Sequence, residues 1–263
     1  MVGGRLAGAK LREAATYAAS PLGRGGQRPT RRFVIYCPPR TGSDLLVSLL
    51  DAHPSVRCEG EILATPVARP LTWFDGRSAL ASLRGAYVWG CKIITQHLQW
   101  YPDTYGPTGE LLRELVERDY TIVRIRRRDW LLQALSLIHA AETKYHFTAG
   151  EDVCFERMTV DPEQLVYCLY ALEEQERLAE ATLRGLPRLE LCYEDDLRTP
   201  DRQAATMARL ADAFSIPRVA VQTDVVPGAP PTLSERVTNL DEVAALLSRT
   251  RYARFLQPTR ATG

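Results

Sequence analysis

The stretch that decides the fold is Arg32–Glu61, RFVIYCPPRTGSDLLVSLLDAHPSVRCEGE. The apolar run Phe33–Cys37 is typical of a buried strand, and two prolines end it. Arg40–Ser43 follows, and the periodic apolar pattern over 42–52 predicts a helix. A helix N-terminus offers free N–H groups and the positive end of the helix dipole. We therefore expect the turn between strand and helix to bind a phosphorylated ligand.

This turn does not match the common nucleotide-binding loop, and a second strand-to-helix transition lies further along the chain. A Walker A loop requires G-x-x-x-x-G-K-[ST], whereas the turn has one glycine and no lysine. At the second transition, Arg126, Arg127 and Arg128 end the β-branched run 120–125 before a helical pattern over 129–142. Arginine binds phosphate oxygens through two parallel hydrogen bonds. A solvated basic cluster is the alternative interpretation, and it fits Arg126 and Arg127 better than Arg128.

The motif P-x-R-T-G-S-x-L-L, followed by His-Pro and a glutamate, resembles the 5′-phosphosulfate loop of sulfotransferases. Their donor is 3′-phosphoadenosine-5′-phosphosulfate (PAPS). Residues 188–197 resemble the late strand of this family, and 237–256 resemble the end of bacterial carbohydrate sulfotransferases, including the nodulation-factor type. The resemblance spans 32–256. It implies a P-loop-kinase-like sulfotransferase fold and transfer of a sulfuryl group from PAPS to a hydroxyl of a small-molecule or carbohydrate acceptor.

The resemblance also implies the donor-binding residues, which are Arg40, Thr41, Gly42, Ser43, Arg128 and Ser136. Arg128 and Ser136 have the spacing of the family's 3′-phosphate pair, about two helical turns or ~12 Å. Arg40 occupies the place of the usual family lysine, where a cation stabilises charge on the leaving nucleotide. Asp44 replaces the common Ser or Thr. Because a carboxylate repels phosphate, we expect Asp44 to point away or to cap the helix start.

A base for the acceptor hydroxyl is implied on the segment after the first helix. Glu61 is the favoured candidate, Glu59 is a weaker one, and Glu61 capping a following helix is the structural alternative. The predicted strand 87–94 carries Lys92 near its end, either as a contact to the sulfonate or acceptor or as a strand-end lysine that extends to solvent. His97 is a further weak candidate for the base. We assign catalytic roles to Glu61, Arg40 and Lys92.

Two functions from other classes stay open at this point. One is a P-loop-like nucleotide kinase, which the missing Gly-Lys-Ser disfavours. The other is a non-catalytic relic that binds PAPS or its product 3′-phosphoadenosine-5′-phosphate (PAP). The departures at Arg40 and Asp44 leave this second possibility open.

Composition predicts one enzyme domain in the cytoplasm. The chain has 263 residues, with 33 basic and 32 acidic side chains, so no strong field attracts nucleic acid. No apolar run predicts a membrane span, and scattered cysteines and histidines predict no metal site. We divide the chain into a flexible basic segment, 1–31, with a short helix at Leu6–Ala19, and a sulfotransferase domain, 32–263.

Alternating strands and helices predict an α/β fold with a parallel sheet flanked by helices. The strands are predicted at 33–37, 87–94, 120–125 and 188–192. The helices are predicted at 42–52, 108–118, 129–142, 161–184 and 200–214.

Overall fold

The computed structural model describes residues 2–26, 28–100, 110–143, 157–225 and 232–256. Within them, five parallel strands form a single sheet in the order β2-β3-β1-β4-β5. The strands are β1 Arg31–Cys37, β2 Val56–Glu61, β3 Val88–Ile94, β4 Tyr120–Arg126 and β5 Arg188–Cys192. The helices are α1 Val2–Arg24, α2 Ser43–Asp51, α3 Pro70–Leu83, α4 Glu110–Glu117, α5 Trp130–Thr143, α6 Pro162–Thr182, α7 Pro200–Phe214, α8 Leu233–Arg236 and α9 Leu240–Leu247. The predicted single-domain α/β fold is confirmed.

Alternate residues of the central strand β1 face two separate cores, because successive side chains of a strand point to opposite faces. Phe33, Ile35 and Cys37 pack with α2 and α7 on one face. Val34 and Tyr36 pack with α3, α4 and the end of α6 on the other. Gly90 on β3 leaves room for the Phe33 ring, which stacks on Phe214 at 4.9 Å. A third cluster joins α5, α6 and α9. None of the described helices is long and apolar enough to cross a membrane.

Four strands lie where the sequence predicts them, whereas β2, α3 and the two short helices α8 and α9 were not predicted. All five predicted helices are present as α2, α4, α5, α6 and α7, although residues 108 and 109 lie outside the described part. The first missed element is β2, an edge strand in which only Val56 and Cys58 are buried. The second is α3, which buries small residues such as Gly76 and Ala79 and has no leucine stripe.

The N-terminal segment is helical over Val2–Arg24. Sequence reasoning assigns 1–31 to a flexible segment with a short helix, whereas the structure places α1 against α3. Tyr17 meets the ring of Trp73 at 5.6 Å, and a Cβ on Gly76 would overlap the backbone of Thr16. This close backbone approach explains why α3 carries a glycine at its contact with α1.

Candidate active site

The turn after β1 leaves the start of α2 without a side-chain cap. Gly42 is the N-cap residue with φ 84°, and it makes no capping bond. The ring of Tyr193 lies where a Cβ of Gly42 would stand, so both backbone conformation and space require glycine there. Arg40 is also left-handed, at φ 62°, which is uncommon for a side chain of this size. The first N–H groups of α2 are therefore available to an anion.

Contacts with neighbouring backbone groups hold this turn in place. Thr41 is fully buried and donates its hydroxyl hydrogen to the carbonyl of Pro38 at 3.2 Å. Gln133 on α5 donates to the carbonyl of Pro39 at 2.7 Å. The Thr41 hydroxyl predicted to hold a phosphate is therefore engaged within the turn itself, and the backbone remains the main donor.

Three arginines converge beside this turn, and we call Arg40, Arg127 and Arg236 the arginine cluster. Arg127 donates to the Arg40 carbonyl at 3.3 Å, and its side chain is only 10% exposed. Arg236 is buried, and burial together with the charge of Arg127 lowers its pKa to about 10. Burial and Arg127 lower the pKa of Arg40 as well. Buried cations whose charged form is disfavoured by burial and by a neighbouring cation favour the binding of an anion.

Arg128 and Ser136, the predicted 3′-phosphate pair, have different partners in the structure. Arg128 is 42% exposed and forms two hydrogen bonds with Asp195, at 2.6 and 2.7 Å. Ser136 instead accepts from Nε of Arg40 at 3.0 Å. The arginine of the Arg126–Arg128 run that reaches the turn is Arg127, which the sequence interpretation placed in a solvated cluster. The spacing in the sequence does not distinguish these three arginines, because the direction of each side chain depends on the residue at which β4 ends.

Arg127 is held by aromatic and acidic neighbours from the turn after β5. Its guanidinium lies 4.9 Å from the centroid of the Tyr193 ring, and Nε is 3.9 Å from Glu194. Glu194 also accepts from the backbone N–H groups of Arg128 and Asp129 at 3.0 and 3.1 Å. Burial favours its neutral form, but these hydrogen bonds outweigh burial and lower its pKa. Glu194 therefore supplies a fixed negative charge that orients Arg127.

The catalytic candidates Glu61 and Lys92 lie side by side because β2 contains a bulge at Gly60. Regular alternation would pair Glu61 with Ile93, whereas the bulge pairs it with Lys92. Lys92 Nζ is 2.9 Å from Glu61 and also forms a short ion pair with Asp44 in the first turn of α2. Asp44 thus points at Lys92, a contact that the sequence did not predict.

Glu59 is excluded from this cluster by the same bulge. It lies on the opposite face, where Trp89 Nε1 donates to it at 2.9 Å and Arg77 forms an ion pair with it. Of the two candidate glutamates, only Glu61 contacts Lys92. A glycine inside a strand is a known signal for a bulge, and it could have identified Glu61 from the sequence.

His97 completes the cluster through its Nε2 atom. The backbone N–H of Ile94 donates to Nδ1 at 3.2 Å, so the ring proton is on Nε2, which lies 3.3 Å from Glu61. The hydrogen bond with His97 has the largest effect on the pKa of Glu61, and the contact with Lys92 acts in the same direction. Together they lower this pKa to about 2, although burial alone would raise it. Burial disfavours the charged form of Lys92, but Asp44 and Glu61 outweigh it and raise its pKa. Lys92 and Glu61 are therefore both ionised at neutral pH.

A cavity of about 670 Å³ opens beside this cluster. Its walls are formed by α2, the end of β2 with Lys92, and residues 222–225. Glu61, Asp44 and Lys92 all line it, so a molecule in the cavity would reach the three charged groups. Its size is typical of a small-molecule site.

Within the described residues, no group of three or more His, Cys, Asp or Glu side chains is placed to hold a metal ion. When the chain is compared with known proteins, no protein-family model and no curated sequence matches it.

Proposed function

We propose that the protein is a sulfotransferase that transfers the sulfuryl group of PAPS to a hydroxyl of a small-molecule or carbohydrate acceptor. One observation carries this proposal. The uncapped start of α2 has the arginine cluster beside it, and Asp44 in its first turn contacts Lys92 of the Glu61 cluster. An anion-binding turn and an acid–base cluster therefore adjoin the same helix turn, as an in-line transfer requires.

The arginine cluster and the turn are proposed to bind the donor. The N–H groups at the start of α2 face the 5′-phosphate, and Arg40 lies next to the leaving oxygen. Arg127, which donates to the Arg40 carbonyl, and Arg236 take the second phosphate of the nucleotide in place of Arg128. A bound anion would offset the burial and the charge of Arg127 that lower the pKa values of Arg40 and Arg236.

The transfer step is proposed to use Lys92 and Glu61. The acceptor oxygen forms a new S–O bond while the bridging S–O bond of the donor breaks, and the leaving nucleotide keeps the electron pair. Lys92, with Arg40, stabilises the negative charge that develops in this step. The hydroxyl proton passes to Glu61. When Lys92 turns toward the donor, Glu61 loses one of the contacts that lower its pKa, which makes it a better base.

Thermal-shift measurements with PAP and with ATP test the donor. A ligand at a hundredfold excess over its Kd stabilises the protein by about 2.7 kcal/mol, so PAP should raise Tm clearly and ATP should not. Stabilisation by ATP alone would favour the kinase alternative. Transfer of label from ³⁵S-PAPS to a product then distinguishes an enzyme from a non-catalytic PAP-binding protein.

A further inference from the structure

The cavity beside Lys92 and Glu61 has a one-sided charge. Among the described residues that line it are four carboxylates and one ammonium group, those of Asp44, Asp51, Glu61, Asp224 and Lys92. Asp51 is paired with Arg57, outside the lining, at 3.3 Å. Lys92 is buried and already lies between two of these carboxylates. Asp224 is exposed and belongs to the wall formed by residues 222–225, which is separate from the wall that carries Glu61 and Lys92. The charged groups of the lining are therefore mostly acidic.

The rest of the cavity lining is partly apolar and held in position. Val47, Ala52 and Val225 line the cavity. Ser48 on α2 and Thr223 share a hydrogen bond of 2.5 Å, which ties the segment 222–225 to the helix. Thr223 also accepts from the N–H of Val225 at 3.0 Å. A ligand with a carbon framework and polar ends matches this surface.

We propose that the acceptor is a cationic, hydroxyl-bearing small molecule of the amino-sugar or amino-alcohol class. Its ammonium group faces Asp224, and its hydroxyl faces Glu61. A protonated amine has no lone pair to attack sulfur, so the transfer goes to oxygen. An anionic acceptor would be repelled by the same carboxylates. This inference rests on the proposed sulfotransferase function, because it names the acceptor of that site.

Matched pairs of acceptors test the charge preference. Kanamycin and glucosamine are compared with their N-acetylated forms, which keep the hydroxyls and lose the positive charge. With ³⁵S-PAPS we expect kcat/KM to be about tenfold or more higher for the free amines, and the difference to shrink as salt is added. Equal or better turnover of the N-acetylated forms would overturn the inference.

The variant Asp224→Asn tests which carboxylate recognises the amine. We expect KM for the free amines to rise about 3- to 10-fold, with kcat and the KM of the N-acetylated forms unchanged, because Asp224 is exposed and its pairing is screened by water. Asp201→Asn, an exposed carboxylate at the start of α7 and outside the cavity lining, is the matched control and should behave like wild type. An unchanged KM in Asp224→Asn would also overturn the inference.

Binding without the donor separates this inference from the proposed function. Isothermal titration calorimetry of kanamycin and its N-acetylated form requires neither PAPS nor turnover. If PAP does not bind and no label is transferred, the sulfotransferase proposal fails, while tighter binding of the free amine still supports a cation-binding cavity. If PAP binds but the two forms of kanamycin bind equally, only the acceptor class is wrong.

Discussion

At the scale of single residues, the three consecutive arginines after β4 have different surroundings and different expected roles. Arg127 is nearly buried against the turn, whereas Arg128 is exposed and paired with Asp195. Arg127→Ala should weaken PAP binding by about 1.5–3 kcal/mol, the range for a charge-assisted hydrogen bond. Arg128→Ala should cost less, since solvent screens an exposed pair. Calorimetric titration with PAP measures both, and a larger loss in Arg128→Ala would restore the original prediction for that residue.

Glu61 is expected to control turnover and to leave donor affinity nearly unchanged. Glu61→Gln keeps the shape of the side chain but removes the basic oxygen, so kcat should fall about 10²–10⁴-fold. Glu59→Gln is the matched control on the other face of the sheet, bonded to Trp89 and Arg77. It should affect stability more than kcat. A Glu61→Gln protein with wild-type kcat would move the role of base to another residue.

The depressed pKa of Glu61 also predicts how stability depends on pH. In the folded protein this pKa is about 2, whereas an unperturbed glutamate titrates near ~4.3. Below pH ~5 the Glu61 carboxylate therefore takes up a proton more readily in the unfolded chain than in the folded protein. The stabilisation from Glu61 is lost as the pH falls toward about 2. The difference in unfolding free energy between wild type and Glu61→Gln, measured in urea, should shrink from pH ~6 to pH ~3. A difference that stays constant would show that the pKa is not depressed.

The sequence identified some of these residues because their signals are local. Short local motifs carry the family resemblance that implies Glu61 and Lys92, with His97 as a weaker candidate, and the structure brings the three together. Arg236 comes from a distant part of the chain to where the charge of Arg127 lowers its pKa, and no local pattern predicts that proximity. Asp44 looked unfavourable beside a phosphate, and only the neighbouring strand supplies the lysine that pairs with it.

At the scale of elements, the bulge in β2 sets which glutamate meets Lys92. Insertion of one alanine after Gly60 moves Glu61 by about 3.3 Å along the strand and changes the face it occupies. We expect kcat to fall as in Glu61→Gln, while PAP still binds. Gly60→Ala adds the same side chain without a register change, and open space surrounds Gly60. That control should stay active, whereas full activity of the insertion variant would argue against the role of the register.

Strands rich in apolar and β-branched residues were predicted, whereas β2 and α3 lack such a pattern and were missed. The buried strands β1, β3 and β4 consist mainly of such residues, so their positions follow from the sequence. In β2 three of the six residues are charged, because one side of an edge strand faces solvent. In α3 the buried face combines Phe74 with small residues such as Gly76, Ser78 and Ala79, and a single large apolar residue does not make a periodic pattern.

At the scale of the whole molecule, the docking of α1 on α3 should contribute to stability. Gly76→Ala places a methyl group against the Thr16 backbone. Alanine favours a helix by up to about 1 kcal/mol over glycine, but overpacking against backbone costs about 1–3 kcal/mol and should prevail. We expect Tm to fall by about 2–4 °C for each kcal/mol lost, as measured by calorimetry. Gly60→Ala is again the control, and an unchanged or raised Tm in Gly76→Ala would mean that α1 does not pack this closely.

The two outer strands of the sheet have a consequence for how the protein behaves in concentrated solution. β2 carries Arg57, Glu59 and Glu61, and β5 carries Arg188 and Glu190, which form an ion pair at 2.5 Å. An exposed sheet edge invites a strand from another molecule, and charged side chains on the edge oppose such pairing. Glu61, which lines the site, therefore also helps Arg57 and Glu59 to protect that edge against aggregation. Neutral substitutions at these three positions should lower solubility, and at Glu61 they should lower turnover as well.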